Sequence, residues 1–461
     1  MRKAVPALVI LGLFLALGGA WGAPAETADG AGHGGPVVPV LLGLIVILLA
    51  AKIGGEVFER MGQPAVLGEL VFGMALGGLG LLGFHGLDFL KTSVGIEILA
   101  QLGVILLLFQ VGLESNVGEM LSVGWSSLLV AVLGVIAPFF LGWGVSAWLL
   151  PDEETLAHVF IGATLCATSV GITARVLADL GKLSARESKI VLGAAVIDDV
   201  LGLVILSVVS GTIAAANSGG SLDALDTLAI IGKAVAFLVG ALLIGGWLSR
   251  RVFRLAGFLK VQGILLALAL SVCFLLAYVA DRIGLATIVG AFAAGLILDG
   301  VQYRELGEKT KHKIEELIHP LCSFLVPVFF VLMGLRVDLS SFGRTSVLGF
   351  AALLSLAAVL GKMICAAGVI ERGLDRLSVA VGMVPRGEVG LIFAGIGAQL
   401  TLHGRSVITP PVFAAVVVMV IVTTLVTPPA LKITLARGDR KRGGARPVLE
   451  PEPERPAVPL G

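Results

Sequence analysis

Two neighbouring carboxylates, Asp198 and Asp199, stand in the middle of a long apolar run, AAVIDDVLGL at residues 194–203. A central aspartate costs about 2.5 to 3.5 kcal/mol on membrane-insertion scales, so carboxylates held there point to ion or proton chemistry. Adjacent helical residues point about 100° apart, which lets the two acids face different partners and do different work. A residue of opposite sign, Lys362, lies in LAAVLGKMICAA, eight residues from the end of its own apolar run. Eight residues are about 12 Å of helix, too far for an easy escape to the interface, so pairing with one of the aspartates is expected. Arg386 and Glu388, in MVPRGEVG, form another charged pair at membrane depth. They can neutralise each other or fix the local backbone, a structural role rather than direct transport. Glu69 reads as a packing or helix-end residue, and Lys233 as a snorkelling one.

The rest of the chain must position these groups in lipid. Of 461 residues, 57% are hydrophobic and 14% charged, with a formal net charge of +1, which describes an all-α polytopic membrane protein and leaves no basic excess for nucleic acid. Cys166, Cys273, Cys322 and Cys365 fall inside apolar runs as small packing residues, and no histidine spacing such as HExxH occurs. No resident cofactor is implied. A hydrocarbon core of about 30 Å needs about 20 apolar residues per helix. Thirteen such spans can be marked, near 37–57, 62–82, 93–113, 122–150, 157–178, 185–212, 224–248, 258–280, 283–300, 318–335, 346–370, 377–400 and 408–435. The start MRKAVPALVILGLFLALGGAWGAPAE has the layout of a signal peptide over residues 1–25, with an uncleaved first helix as the alternative, and residues 26–36 read as an exported linker. With the linker outside, the loops facing the cytoplasm hold fourteen basic residues against five in the opposite loops. That bias puts the N-terminus outside and residues 436–461, a basic and disordered tail, inside.

An internal duplication is also legible. LGELVFGMALG (67–77) matches VGAFAAGLILD (289–299) at an offset of 222, and the same offset carries VGLE (111–114) onto MGLR (333–336). The matched segments lie seven spans apart, and an odd number reverses the direction of crossing. Two inverted six-helix repeats joined by the seventh span are therefore expected, the plan of secondary transporters whose sites sit at the midplane on interrupted helices. Interruptions are predicted at the same place in each half. ATSVGIT (167–173) offers Thr168, Ser169 and Thr173 as competitors for backbone hydrogen bonds, and in MVPRGEVG (383–390) Pro385 removes a donor while Gly387 loosens the turn. Broken helices at this depth are tolerated only around a cavity, where an ion can be held.

Together, ATSVGITARVLADLGKL (167–183), GAAVIDDVLGL (193–203), PAVLGELVFGMALG (64–77), the Gly361-Lys362 pair and MVPRGEVGLIFA (383–394) resemble the monovalent cation:proton antiporters, in the branch of NapA-like bacterial sodium/proton antiporters with the NhaA-type fold. The similarity runs over about residues 37–435. It implies a homodimer in the bacterial inner membrane, and a mobile core, placed at about 93–212 and 318–435, that carries its site past a static dimerisation scaffold in an elevator motion. It implies Asp199 as the carboxylate that binds sodium or a proton, Asp198 as the partner of Lys362, and Thr168 and Ser169 as the lining of the site. Paired acids resemble the electrogenic members.

These features predict exchange of cytoplasmic Na+ or Li+ for external protons. A buried bare carboxylate is costly, so it takes either a proton or a dehydrated cation, and holding one excludes the other. A potassium/proton exchanger of the same family is the alternative, with a gated cation channel less favoured because no filter motif or repeated pore loop occurs. A membrane enzyme would need a nucleophile beside a base, which the sequence does not offer.

Overall fold

In a computed structural model the described residues are 37–114, 124–182, 185–217, 232–233, 236–245, 247, 251, 263–305 and 314–441. The expected signal peptide, the linker and residues 224–231 of the seventh span lie outside them, as does the tail beyond Lys441. The chain is helical: α1 (Val37–Arg60), α2 (Ala65–Gly78), α3 (Val94–Glu114), α4 (Trp125–Leu149), α5 (Thr155–Thr164), α6 (Val170–Asp179), α7 (Arg186–Asn217), α8 (Ile264–Arg282), α9 (Thr287–Glu305), α10 (Ile314–Leu335), α11 (Thr345–Met363), α12 (Arg376–Gly382), α13 (Glu388–Gln399) and α14 (Pro410–Lys441). A two-residue hairpin, Thr401–Leu402 with Arg405–Ser406, is the sole sheet among the described residues. Among these residues nine helices have the length and apolarity to cross a membrane. Two of the other expected spans are broken, as α5/α6 and α12/α13.

Local chemistry sets the boundaries. The first span ends where Glu56 pairs with Arg60 one turn on, and the chain reverses through Gly62 at φ +71°, a left-handed conformation that suits glycine. Pro64 then enters α2 with φ already at −61°. Helix α14 continues to Lys441, so the first six residues of the expected disordered tail, 436–441, are helical, and just before them Leu431 and Leu435 pack against Val176 and Leu177 of α6.

The helices form two bundles. Helices α1, α2, α3, α8, α9 and α10 pack together, and α4 to α7 pack with α11 to α14. This grouping differs from the sequence boundaries: α3 and α10, placed with the mobile core at 93–212 and 318–435, belong to the first bundle. The cause is their glycines. In lipid, helices associate by close packing of small residues rather than by a hydrophobic drive. A Cβ on Gly73 or Gly334 would collide with the facing backbone across α2 and α10, and one on Gly112 or Gly295 would do so across α3 and α9.

These contacts recur at the 222-residue offset seen in the sequence. Gly68 packs on Gly54 of α1, while Gly290 packs on Leu276 of α8, each residue 222 positions from its counterpart. Gly73 meets Val331, and Gly295 meets Phe109, again 222 apart. Gly103 touches Leu325, its own counterpart, where α3 crosses α10. In the second bundle Gly361 of α11 sits against Pro138 of α4, bringing those two helices together beside the charged residues.

Candidate functional site

The two broken spans cross inside the second bundle, and each supplies what the other's backbone lacks. A helix that stops leaves unsatisfied carbonyls at its C-terminal end. Where α12 ends, Thr173 Oγ1 donates to the Gly382 carbonyl at 2.6 Å and Thr168 Oγ1 to that of Met383 at 3.4 Å. The Ser169 amide donates to the Pro385 carbonyl at 2.9 Å. Where α5 ends, the Arg386 guanidinium donates to the Cys166 carbonyl at 3.0 Å and also to that of Ala167. Arg386 is wholly buried, and its charge lies at the negative end of the α5 dipole.

Arg386 and Glu388 therefore do not neutralise each other. Glu388 accepts from Ser169 Oγ at 3.0 Å, at the N-terminus of α13 where a carboxylate is favoured. Of the two uses open to the pair, the geometry is that of fixing the unwound segments. Gly387 permits this closeness, since a Cβ there would stand 2.6 Å from Ser169 Oγ.

Beside the crossing, α7 presents the aspartates. Lys362 Nζ donates to both oxygens of Asp198, at 3.0 and 3.2 Å, and neither residue is exposed at all. Gly134 of α4 makes the room, because a Cβ there would be 3.1 Å from Nζ and 3.7 Å from Asp198 Oδ1. Asp199 is buried too, at 6% exposure, and its Oδ1 has no hydrogen-bond partner. Its surroundings contain the carboxylates of Asp198 and Glu388 and, on the positive side, Lys362, which is already engaged. One aspartate is thus compensated within the protein and the other is not.

Ser169, Gly387 and Glu388 also line a cavity of about 250 Å3. Its opposite wall belongs to the first bundle: Pro64, Val66 and Leu67 of the α2 entry, Leu107 of α3, and Val326 and Phe330 of α10. No group of three or more His, Cys, Asp or Glu suited to a resident metal occurs among the described residues.

The family model for sodium/hydrogen exchangers, transmembrane region, matches residues 44–437, a stretch that contains every element of this crossing. The chain belongs to the sodium/hydrogen exchanger family. This exchanger is 39% identical to the high-affinity Na+/H+ antiporter NhaS3 of a Synechocystis species over 447 residues, covering 90% of the chain and 93% of the relative. It is 38% identical to the Na+/H+-K+ antiporter GerN of Bacillus cereus, covering 86% and 96%. Among solved structures it is similar to the sodium proton antiporter MjNhaP1 of Methanocaldococcus jannaschii, with a TM-score of 0.68, 16% identity and coverage of 87% and 99%. The exchanger is accordingly a multi-pass membrane protein of a transport family.

Some of the exchanger's site lay beyond sequence reasoning. Thr423 and Thr424 of α14 hold the Arg386 backbone: Thr424 Oγ1 donates to its carbonyl, and the Arg386 amide donates to Thr423 Oγ1 at 3.4 Å. A threonine doublet inside an apolar helix was a signal that could have found them. Nothing in the sequence marks Gly134 as the space for a lysine.

Proposed function

We propose that the chain exchanges cytoplasmic Na+, or Li+, for external protons, with Asp199 as the group that carries either one. The observation that supports this is the buried Asp199 carboxylate, one oxygen unpartnered, next to an Asp198 that Lys362 already neutralises. A bare carboxylate in low dielectric is expensive, so the loaded forms, protonated or cation-bound, are the ones that move. Thr168 and Ser169 line the site with hydroxyls and Glu388 with a carboxylate, hard oxygen donors that suit an alkali cation. Sodium is cargo here, not a resident cofactor.

Movement follows an elevator path in this reading. The residues assigned to the site all belong to the second bundle, while the cavity beside Ser169 and Glu388 is walled on one side by the first. Sliding one bundle past the other exposes the site alternately to each side, and the glycine contacts that keep an offset of 222 support an inverted repeat as the source of the two equivalent poses. The first bundle would form the static scaffold of a homodimer in the bacterial inner membrane, with the basic loops and the C-terminus in the cytoplasm. If Asp198 releases Lys362 as cation binds, and the lysine loses its proton, two protons cross per sodium and transport is electrogenic. An unchanged reversal potential in Asp198→Asn would sink that stoichiometry.

Proteoliposomes with a trapped pH dye test the central claim. A sodium gradient should drive proton movement in the wild type and not in Asp199→Asn; persistence in the variant removes Asp199 as the carrier. Potassium is the second reading, favoured by the similarity to a relative named as a Na+/H+-K+ antiporter. The same vesicles with a potassium gradient distinguish it.

A further inference from the structure

The Glu97 carboxylate joins three helices at one end of the seam between the bundles. It accepts from Gln101 of its own helix α3 at 3.1 Å, and it forms an ion pair with Arg336, the residue after α10. Arg336 is itself held by the Lys91 carbonyl at 3.0 Å. The third partner crosses the seam: Gln399 Nε2, at the last residue of α13, donates to Glu97 Oε1 at 2.8 Å. The hydrogen bonds of the ion-site crossing, by contrast, all stay within the second bundle.

The position of this contact is fixed by helix direction. Gly73 packs on Val331 and Gly77 on Leu335, so α2 and α10 run parallel and Arg336 lies at the C-terminal end of α2. The cavity beside Ser169 and Glu388 lies toward the other end of α2, against Pro64 and Leu67. Between them, a Cβ on Gly395 of α13 would stand 3.0 Å from Met333 Sδ and 3.7 Å from the Phe329 ring, so α13 is pressed on α10 there. Beyond that contact a second recess of about 250 Å3 begins, lined by Arg336, Ala398 and Gln399. The cavity is thus closed off from this end by an apolar seal at Gly395, with the Gln399–Glu97–Arg336 cluster outside it.

We infer that Gln399, Glu97 and Arg336 form a latch that holds the second bundle against the first and keeps this side of the seam shut while the cavity faces the other side. Glu97 and Arg336 are preassembled on the first bundle, so within this cluster it is the Gln399 bond that breaks when the bundles slide. Because that bond carries an amide to a carboxylate, its strength responds to the charge at position 399. A glutamate there would face Glu97 and repel it, and a lysine would attract it more strongly than the native amide.

The inference rests on the sliding-bundle reading and has a readout separate from ion exchange. In full-length protein in vesicles, an Ala398→Cys reporter in the second recess is labelled with a membrane-impermeant maleimide. Gln399→Glu should speed labelling by about threefold and Gln399→Lys should slow it, an amount typical of a charged contact at an exposed site. Equal rates in the two variants, or shifts in the same direction, overturn the latch. A second arm joins Glu97→Cys to Gln399→Cys with a short bis-methanethiosulfonate reagent. Exchange should stop on cross-linking and return on reduction, and undiminished exchange by fully cross-linked protein overturns the latch. Charge-dependent labelling in a protein that moves no sodium would instead leave the latch standing and refute the ion assignment.

Discussion

The buried Lys362–Asp198 pair permits a quantitative test. Both side chains have no exposure, both carboxylate oxygens are within 3.2 Å of Nζ, and Gly134 and Cys365 close the space around the ammonium. Lys362→Met keeps the aliphatic volume but strands a buried carboxylate, and Asp198→Asn strands a buried ammonium. Removing one member of such a pair costs about 3 to 5 kcal/mol in a dry interior, because the survivor stays desolvated without a partner. Removing both leaves a neutral amide beside a thioether, and the cost falls to about 1 to 3 kcal/mol, the penalty of a buried amide without a full partner. The coupling energy in the cycle should therefore be several kcal/mol, against about 0.6 kcal/mol for ordinary hydrogen bonds between membrane helices. The four proteins would be compared by thermal unfolding in one detergent, with the double variant melting above either single one. A double variant that melts at the sum of the two losses would refute the claim that these groups depend on each other, and with it the division between a compensated Asp198 and an uncompensated Asp199.

Other perturbations test the frame around the pair. Arg386→Ala removes the donors that satisfy the Cys166 and Ala167 carbonyls, and a stability loss of about 2 to 4 kcal/mol with little residual exchange is expected by melting and dye assay. Gly387→Ala pushes a methyl to 2.7 Å from Ser169 Cβ; a loss of about 1 to 3 kcal/mol should appear, and Ser169→Gly in the same chain should recover part of it. Gly103→Leu, at the crossing of α3 and α10, should lower folded yield in size-exclusion profiles while Gly144→Leu, with open space at its Cβ, should not. The connector between α10 and α11 is capped by Asp338, whose carboxyl hydrogen bonds from Ser340 and Ser341 hold below its ordinary value of 3.8. A depressed value means the cap is intact above that pH and is lost as pH falls through the lower, folded value. Amide exchange over residues 339–343, corrected for intrinsic rate, should therefore be flat from pH 7 to pH 5 and rise in Asp338→Ala.

What the sequence made legible follows from the cost of polarity in lipid. Asp198, Asp199, Lys362 and Arg386 stand out because each is expensive where it lies, and the breaks at 165–169 and 383–387 stand out because hydroxyls, proline and glycine are poor companions for an unbroken helix. The bundle boundary was not legible in the same way. Helices α3 and α10 join the first bundle through glycines, and glycine is spread through the whole chain, 62 in all, so its presence alone marks no particular partner. Reciprocal capping was hidden for another reason. Which carbonyl Arg386 satisfies depends on how two distant segments cross, more than 200 residues apart in sequence. The Gln399–Glu97 bond is hidden likewise, since both residues look like ordinary polar ends of apolar helices.

The 222-residue offset recurs in the glycine contacts of the first bundle, whereas the residues around the crossing do not repeat. Asp199 lies on α7 and Thr423 on α14. The two helices both flank the crossing. One presents carboxylates there, and the other presents hydroxyls that hold the Arg386 backbone. The breaks differ in the same sense, because Thr168 and Ser169 in the first offer neutral oxygens where the second carries Arg386. A pair of equal carboxylate helices would place four acids around one crossing, a repulsion that Lys362 and Arg386 together do not offset. With the aspartates on α7 alone, Lys362 compensates Asp198 and leaves Asp199 uncompensated beside Glu388. Putting acid into the second half, by Thr423→Asp, should therefore cost more stability than Thr423→Asn, and the excess should shrink when Asp199→Asn is added. An excess that does not depend on residue 199 would show that the two helices do not share one electrostatic site.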